Sequence, residues 1–169
     1  MPNRIATFEK VSYNEFKKAL LKLVELDNEE VQKIYDDIKL PKRATAGSAG
    51  YDFFAPFSFP VTNESITIPT GIRCKIDEGW YLGCYPRSGL GFKHRLSLDN
   101  TVGIIDSDYY YSDNEGHIML KLHLGYEKTG IQVDKGKAFA QGIFTQYGIT
   151  TDDDVTDTRN GGFGSTDKK

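Results

Sequence analysis

Short runs of alternating apolar and polar residues dominate the chain after Lys39, and they limit the folds that this sequence can adopt. In residues 71–76, three apolar side chains fall on one face of an extended backbone, and residues 117–124 repeat this alternation. The apolar and aromatic stretches 80–86 and 138–144 are also typical of strands. Several short strands separated by turn signals predict an antiparallel sandwich or barrel.

Residues 12–37 carry a helical pattern instead. Ser12 and Glu15 form a capping-box signature, and apolar side chains then recur at intervals of three and four residues. The sequence LDNEE at residues 26–30 interrupts this pattern, so it predicts two short helices rather than one long helix. Residues 4–11 alternate well enough to predict a strand before the helices.

The overall composition excludes several classes of protein. A length of 169 residues favours one domain with a hydrophobic core, and a net charge of −3 argues against a broad nucleic-acid surface. The apolar runs are too short to cross a bilayer, and the start lacks a signal-peptide core, so we expect a cytoplasmic protein that binds neither nucleic acid nor membrane. The cysteines Cys74 and Cys84 allow a disulfide, but a reducing cytosol favours two buried free thiols.

The acidic and tyrosine-rich stretch at residues 100–116 allows three interpretations: a metal loop, a solvated turn, or a catalytic carboxylate at the end of a buried strand. An EF-hand loop counted from Asp106 fails, because Tyr110 and Tyr111 occupy its fifth and sixth positions. The three histidines form no zinc motif with the cysteines. The residues alone therefore leave Asp106 as either a turn or cap residue or a catalytic base.

Three glycine-rich stretches combine glycine with hydroxyl groups or arginine, at residues 44–55, 86–96 and 159–166. Glycine allows backbone N–H groups to approach an oxyanion, and arginine offers a planar fork of donors, so this composition suits phosphate binding. Each stretch taken alone is more typical of an ordinary turn than of a phosphate site.

In this order and spacing, five stretches resemble the signature motifs of the homotrimeric dUTPases, the deoxyuridine triphosphate nucleotidohydrolases. AGYDFFA resembles the first motif, PRSGLGFKHRL the second, NTVGIIDSDYY the third, GKAFAQGIF the fourth and RNGGFGST the fifth. They occupy residues 49–55, 86–96, 100–110, 136–144 and 159–166.

The resemblance covers about residues 39–166 and implies a mainly β fold, an antiparallel, jelly-roll-like β-barrel. It implies that a short strand and helical extension (residues 1–37) precedes a barrel core (38–152). A flexible C-terminal arm (153–169) would follow and carry the glycine-rich fifth motif. It also implies a homotrimer in which three subunits contribute to each active site.

The resemblance further implies an enzyme, a dUTP diphosphatase, that hydrolyses dUTP to dUMP and pyrophosphate. By this resemblance Asp106 is the general base for the water that attacks the α-phosphorus. The ion Mg²⁺ would be held mainly by the triphosphate and reached through water by Asp52. Such an enzyme limits uracil in DNA and supplies dUMP for dTMP synthesis.

The resemblance assigns the substrate contacts residue by residue. The hairpin at residues 100–105, with Asn100, Gly103 and Ile105, would read uracil, and Tyr109 would pack against the deoxyribose and exclude a 2′-hydroxyl. The remaining assigned residues would contact the phosphates or, in the arm, close over the ligand: Arg87, Ser88, Gly89, Gln141, Arg159, Phe163, Gly164 and Ser165.

The sequence departs from the family pattern in three places. Residues 110–116 are longer than the usual turn, and we interpret them as a solvated insertion whose acidic residues Asp113 and Glu115 are not catalytic. Such a loop is a natural surface for a regulatory protein partner, as in phage members of the family. The fourth motif reads GKAFAQ, which leaves Lys137 and Phe139 without an assigned role, and the fifth lacks one residue after Arg159.

Two alternatives remain beside the dUTPase. A dCTP deaminase of the same fold needs a glutamate on the strand after the third motif, but HIMLKLHLGY contains none. The second motif also reads R-S-G rather than R-S-S, which favours the dUTPase. The other alternative is a phage-type dUTPase with an added regulatory role.

Overall fold

The computed structural model describes residues 3–126 and 129–157 of the chain. Its elements in chain order are β1 Ala6–Lys10, α1 Tyr13–Leu20, α2 Asn28–Asp36, β2 Lys42–Arg43, β3 Tyr51–Phe54, β4 Phe59–Val61, β5 Ile66–Pro69, β6 Ile72–Ile76, β7 Trp80–Pro86, α3 Ser88–His94, β8 Ser97–Leu98, β9 Gly103–Ile105, a 3-10 helix Ser107–Tyr111, β10 Met119–His123, β11 Ile131–Val133 and β12 Ala138–Gln146.

The strands form small sheets, and every pair of hydrogen-bonded strands within the described residues is antiparallel. The largest sheet has five strands in the order β2-β3-β12-β7-β9, and a second has the order β5-β10-β8. Two-stranded sheets pair β1 with β6 and β11 with β4. This jelly-roll-like arrangement confirms the predicted mainly β fold, although hydrogen bonds between the described residues do not close the sheets into one continuous barrel.

The alternating side chains fill one core between these sheets. In β6 the apolar residues Ile72, Cys74 and Ile76 are buried, while Arg73 and Lys75 are not. Strand β10 and its flanking residues bury their apolar side chains in the same way. Each such side chain contributes roughly 1.5–3 kcal/mol when it leaves water, so the alternation fixes which face of each strand packs inward.

The two short helices predicted in the N-terminal segment are present, but the predicted capping box is not. The Ser12 hydroxyl accepts the Glu15 backbone N–H at 3.2 Å, whereas the Glu15 side chain does not return to the Ser12 backbone. The reciprocal pair occurs at the start of α2 instead, between Asp27 and Glu30. Helix α1 buries Phe16 and Leu20 against the core.

Both cysteines are buried free thiols, which confirms the preferred prediction. Burial raises the pKa of Cys84 to about 12, so this thiol is protonated at neutral pH. Within residues 3–126 and 129–157, no helix has the length and apolar character that a membrane crossing requires.

A buried histidine joins the first helix to the β-core. The His117 side chain is fully buried; its Nε2 accepts the Gly71 backbone N–H at 2.9 Å, and its Nδ1 lies 3.4 Å from a Glu15 carboxylate oxygen. Burial lowers the pKa of His117 to about 4, and the charge of nearby Glu115 opposes this shift. Nε2 must be unprotonated to accept the Gly71 N–H, so protonation at Nε2 would break this contact.

The lowered pKa of His117 predicts a loss of stability in acid. The unfolded chain takes up this proton near pH 6.5 and the folded chain only near pH 4, so the contribution is complete above pH 6.5 and is lost as the pH falls toward 4. It amounts to about 3 kcal/mol. Urea unfolding between pH 7 and pH 4 should therefore show a smaller pH dependence in His117→Gln than in the unsubstituted chain. Equal pH dependence in both proteins would contradict this interpretation.

Candidate active site

A cavity of about 540 Å³ lies beside the turn between β8 and β9. Four of the residues predicted to read the base and sugar line it, namely Asn100, Gly103, Ile105 and Tyr109. Much of the remaining lining is apolar, and this volume suits a small organic ligand such as a nucleobase with its sugar. The structure therefore brings together the residues that the third motif contributes.

The turn at one end of this cavity has an unusual backbone. Thr101 has a φ of 64°, and the Val102 N–H donates to the Asn100 carbonyl at 2.6 Å, so the chain reverses tightly before β9. Gly103 is buried opposite Cys84 of β7, and a Cβ at this glycine would lie 3.3 Å from the Cys84 Cβ. The close approach of β9 to β7 favours glycine here, and Gly103 is one of the residues that line the cavity.

A small ionic cluster forms one wall of the cavity. The Asp99 carboxylate accepts from the Ser65 hydroxyl at 2.7 Å, lies 2.7 Å from His123 Nδ1 and 3.2 Å from Lys121 Nζ. Burial raises the pKa of Asp99, but these contacts outweigh it and hold the pKa below its ordinary value. Asp99 and Lys121 both line the cavity, and the sequence analysis did not single them out.

Asp106 follows the cavity-lining Ile105 and ends the strand β9. It precedes the 3-10 helix with an extended backbone, φ −78° and ψ 159°, and its carbonyl accepts the Tyr109 N–H at 3.2 Å. The side chain is half-buried. The sequence predicted this carboxylate at the end of a strand. Asp106 directly follows the paired strand β9, which restrains its backbone.

Tyr109 is the most buried residue of the 3-10 helix, with 4% of its surface exposed. Its hydroxyl donates to the His117 carbonyl at 2.9 Å and accepts from the Asn114 side-chain amide at 2.7 Å. With its hydroxyl held by two hydrogen bonds, the ring has a fixed position in the cavity wall. Asn114 is a residue that sequence reasoning missed, because nothing in the motif predicts its contact with Tyr109.

A second group of predicted residues gathers on three neighbouring strands. Arg87 Nε lies 3.2 Å from Asp52 Oδ1, and the Gln141 side-chain amide donates to the Pro86 carbonyl at 3.1 Å. Gln141 of β12 lies directly opposite Asp52 of β3. The arrangement offers a guanidinium and an amide beside a carboxylate, which are groups that can bind phosphate and a hydrated cation.

Gly50, within the first motif, makes room for this second group. A Cβ at Gly50 would lie 2.6 Å from Gln141 Oε1, so a larger residue would displace the glutamine side chain. The sequence analysis quoted Gly50 in the motif but gave it no role.

Ser88 and Gly89 begin the short helix α3, directly after Arg87. Arg87 has an extended backbone there and its carbonyl accepts the N–H groups of Leu90 and Gly91. A Cβ on Gly89 would meet nothing within 4 Å, so its backbone is open to approach. The predicted arm residues Arg159, Phe163, Gly164 and Ser165 lie outside the described residues.

The two groups stand apart within one chain. Ile105 pairs with Leu82, so Asp106 follows β9 toward the Trp80 and Tyr81 end of β7, whereas Arg87 follows the other end. The six-residue step from Tyr81 to Arg87 corresponds to about 20 Å along a strand. The contact with Asp52 also directs the Arg87 side chain toward β3, away from β9 in the sheet order.

The acidic side chains of the described residues form no group of three that could hold a metal ion. A magnesium ion on a polyphosphate retains several waters and needs one or two carboxylates beside the phosphate oxygens. Asp52 fits such an outer position, since its carboxylate lies within the second group.

Loop 110–116 differs from the solvated insertion that the sequence analysis expected. Tyr111 and Asp113 are exposed, but Ser112 and Gly116 are buried. The side chain of Glu115 contacts the N-terminal extension, where it accepts from the Ser12 backbone N–H at 2.7 Å and the Ser12 hydroxyl at 2.6 Å. The interpretation as a solvated loop was therefore wrong for the buried Ser112 and Gly116 and for Tyr110 and Glu115, whose side chains bind partners distant in sequence.

The chain matches the sequence model of the dUTPase family over residues 36–167. The deoxyuridine 5′-triphosphate nucleotidohydrolase of Lactococcus lactis is 38% identical over 76% of this chain and 88% of its own length. The enzyme of the same name from Hahella chejuensis is 40% identical over 82% of this chain and 93% of its own. The crystal structure of the dUTPase from Streptococcus mutans superimposes with a TM-score of 0.62, at 27% identity, over 85% of this chain and 97% of that one.

The antiparallel jelly-roll-like core carries, beside β9, a cavity whose size suits the nucleoside part of a nucleotide. Together with the match over most of the chain, this shows that the chain belongs to the dUTPase family. The resemblance and the enzyme class expected from the five motifs are thereby confirmed.

Proposed function

We propose that this chain hydrolyses dUTP to dUMP and pyrophosphate. One observation carries the proposal: the four residues predicted to read uracil and deoxyribose line a single cavity, and Asp106 follows the cavity-lining Ile105 directly. A base-reading cavity beside a fixed carboxylate is the arrangement that a nucleotide hydrolase requires, because the nucleophilic water must be held against one phosphorus.

Uracil occupies the cavity beside the Asn100 turn, where the backbone of β9 and the Asn100 amide offer hydrogen bonds to its polar edge. The Tyr109 ring packs against the deoxyribose. Because both polar contacts of the Tyr109 hydroxyl fix the ring, a ribose 2′-hydroxyl would meet a wall that does not yield. This rigidity supports discrimination between dUTP and UTP.

Asp106 is the general base. Its carboxylate accepts a proton from the water that attacks the α-phosphorus, the new P–O bond forms, and the bond from the α-phosphorus to the α,β-bridging oxygen breaks. Pyrophosphate leaves and dUMP remains. A carboxylate at the end of a paired strand suits this role, because the strand restrains the carboxylate. The carboxylate can then hold the water at one position relative to the phosphate.

The phosphates bind the second group. Arg87 and the open backbone at Ser88 and Gly89 donate to phosphate oxygens, with Gln141 beside them. A Mg²⁺ ion on the triphosphate would supply charge neutralisation at the phosphate oxygens. Asp52 would help to hold that ion through its bound waters. The arm residues Arg159, Phe163, Gly164 and Ser165 complete the site in this proposal.

Each site combines residues of different subunits in a homotrimer. The separation of Asp106 from Arg87 along β7 supports this, since one α-phosphate cannot contact both in a single chain. A closed cyclic assembly brings the Asp106 end of one chain to the Arg87 end of its neighbour.

The proposal places the enzyme in the cytoplasm, where it limits uracil in DNA and supplies dUMP for dTMP synthesis. Deamination of dCTP is not favoured, because β10 reads MLKLH and offers no glutamate. A regulatory protein partner at loop 110–116 is not included, because Tyr110 and Glu115 of that loop already bind the N-terminal extension.

Pyrophosphate release on a panel of nucleotides tests the proposal. With Mg²⁺ present, dUTP should be hydrolysed at least about 100-fold more efficiently than dCTP, dTTP or UTP, because the fixed cavity excludes the additional groups or leaves polar groups unpaired. Release of ammonia from dCTP, or equal hydrolysis of all four nucleotides, would contradict it.

A further inference from the structure

The N-terminal extension grips the loop that follows the catalytic motif. The Glu115 carboxylate accepts two hydrogen bonds from Ser12, at 2.7 Å from the backbone and 2.6 Å from the hydroxyl. Ser12 is also the N-cap of α1, so the carboxylate lies where the helix dipole favours negative charge. Burial raises the pKa of Glu115, but the bonds from Ser12 outweigh it and hold the pKa below its ordinary value.

A second contact lies one strand away. The Tyr110 hydroxyl donates to Glu9 of β1 at 2.8 Å, and Arg73 of β6 forms an ion pair with the same carboxylate at 2.9 Å. The Arg73 guanidinium also lies 4.4 Å from the centre of the Tyr110 ring. We call the four residues Glu9, Ser12, Tyr110 and Glu115 the clasp.

The clasp holds a loop whose backbone is strained. Glu115 has a φ of 58°, a left-handed conformation that non-glycine residues rarely adopt. Gly116 has a φ of 70°, and a Cβ there would lie 2.7 Å from the Tyr109 carbonyl oxygen and from the Tyr110 Cα. The chain therefore packs tightly on itself at this point, and the bonds to Ser12 stabilise a conformation that is unfavourable alone.

The loop transmits this restraint to the sugar-facing tyrosine. Between the two clasp residues Tyr110 and Glu115, Asn114 donates to the Tyr109 hydroxyl at 2.7 Å and accepts the Gly116 N–H at 3.2 Å. The His117 N–H donates to the Asn114 carbonyl at 3.0 Å. Tyr109 is therefore held by a loop that the extension holds in turn.

We infer that Ser12 and Glu115 are positioning residues for sugar recognition: through the clasp, the N-terminal extension fixes Tyr109 and so sets the selectivity for dUTP over UTP. The inference rests on the proposed function. Strand β1 and helix α1 precede residue 36, where the match to the family begins, so this restraint comes from a part of the chain outside the matched region.

Substitution of Ser12 and of Glu115 tests the role of the clasp, and removal of the N-cap of α2 is the matched control. Glu115→Ala and Ser12→Ala should each lower the ratio of kcat/KM for dUTP to kcat/KM for UTP roughly tenfold. KM should change more than kcat, because these substitutions alter the position of the Tyr109 ring and leave the proposed general base, Asp106, in place. Asp27→Ala removes the N-cap of α2, which does not contact the clasp, and should leave the ratio unchanged. Ser12→Thr keeps the hydroxyl and should restore the ratio.

A second measurement does not depend on activity. Amide hydrogen exchange in residues 107–112 should become roughly tenfold faster in Glu115→Ala than in the unsubstituted chain, and should not change in Asp27→Ala. If the unsubstituted chain fails to hydrolyse dUTP, the proposed function is wrong, and the exchange data still decide whether the extension restrains Tyr109. Three results would each overturn the inference. The first is unchanged exchange in Glu115→Ala, and the second is an equal effect of Asp27→Ala on either measurement. The third is faster exchange in Glu115→Ala without a change in the dUTP to UTP ratio.

Discussion

Replacing Asp106 with asparagine is expected to lower the single-turnover rate of dUTP hydrolysis by a factor of about 10²–10⁴ or more. Asparagine keeps the size of the side chain and can still hydrogen-bond to the attacking water. It cannot accept the proton of that water, so the nucleophile is no longer activated. The rate is measured by rapid quench with enzyme in excess over dUTP, so that product release does not limit it.

Binding should survive this substitution. In the proposed site, uracil and the phosphates contact other residues, and loss of one negative charge near a triphosphate reduces repulsion. Calorimetry with a non-hydrolysable dUTP analogue and Mg²⁺ should therefore give an affinity equal to or higher than that of the unsubstituted chain. A large loss of affinity together with the loss of rate would indicate that Asp106 holds the fold or the ligand rather than the water.

Asp113→Asn provides the control for charge removal in the same segment. Asp113 is exposed and lies beyond the 3-10 helix, so its substitution should change the rate less than about twofold. Near-normal turnover by Asp106→Asn, or a larger loss in Asp113→Asn, would show that the wrong carboxylate had been assigned. Glu115 does not serve as this control, because its bonds to Ser12 couple it to the fold.

Local pattern predicted most of the elements because their causes are local. The period-two alternation in residues 71–76 and 117–124 reports which side chains face the core, and β6 and β10 form there. The break at residues 26–30 was visible because Asp27 and Glu30 provide a helix start within four residues. Asn100, Gly103, Ile105 and Tyr109 of the third motif line one cavity, although their roles toward a ligand stay a prediction.

The contacts of the N-terminal extension could not be predicted, because their causes are distant in sequence. Glu115 is 103 positions from Ser12, and no periodicity links the two. Glu15 appeared to complete a capping box with Ser12, yet in the fold Glu115 takes the Ser12 N–H and Glu15 faces His117. Tertiary packing thus replaced the expected local bond between Glu15 and the Ser12 N–H with a long-range bond from Glu115. Loop 110–116, which was expected to be solvated, instead contacts both the extension and Tyr109.

The relation between the two halves of the site also depends on sheet register. The motifs place Arg87 and Asp106 close in sequence, and only the pairing of Ile105 with Leu82 sends them to opposite ends of β7. Sequence alone could propose a shared site through family resemblance. The register gives a physical reason for it, because Asp106 and Arg87 follow from opposite ends of β7, which lie about 20 Å apart along the strand.

This separation predicts that two inactive chains should restore each other. In the proposed site, Arg87→Gln removes the guanidinium assigned to phosphate and Asp106→Asn removes the assigned base, so a homotrimer of either variant should be nearly inactive. In a mixed trimer, one site combines the intact Asp106 of one chain with the intact Arg87 of its neighbour. Any cyclic trimer that contains both variants has one such site, so about a third of the unsubstituted activity should return.

Assay of purified mixed trimers is the most direct test of the account. The two variants carry different affinity tags, are co-expressed and are purified over both tags, so that every assembly contains both chains, and light scattering verifies three chains in each. Pyrophosphate release from dUTP is then measured beside both homotrimers. The account predicts about one third of the unsubstituted rate in the mixed trimers and almost none in either homotrimer. Mixed trimers as inactive as the homotrimers would place Asp106 and Arg87 of one chain in one site and contradict it.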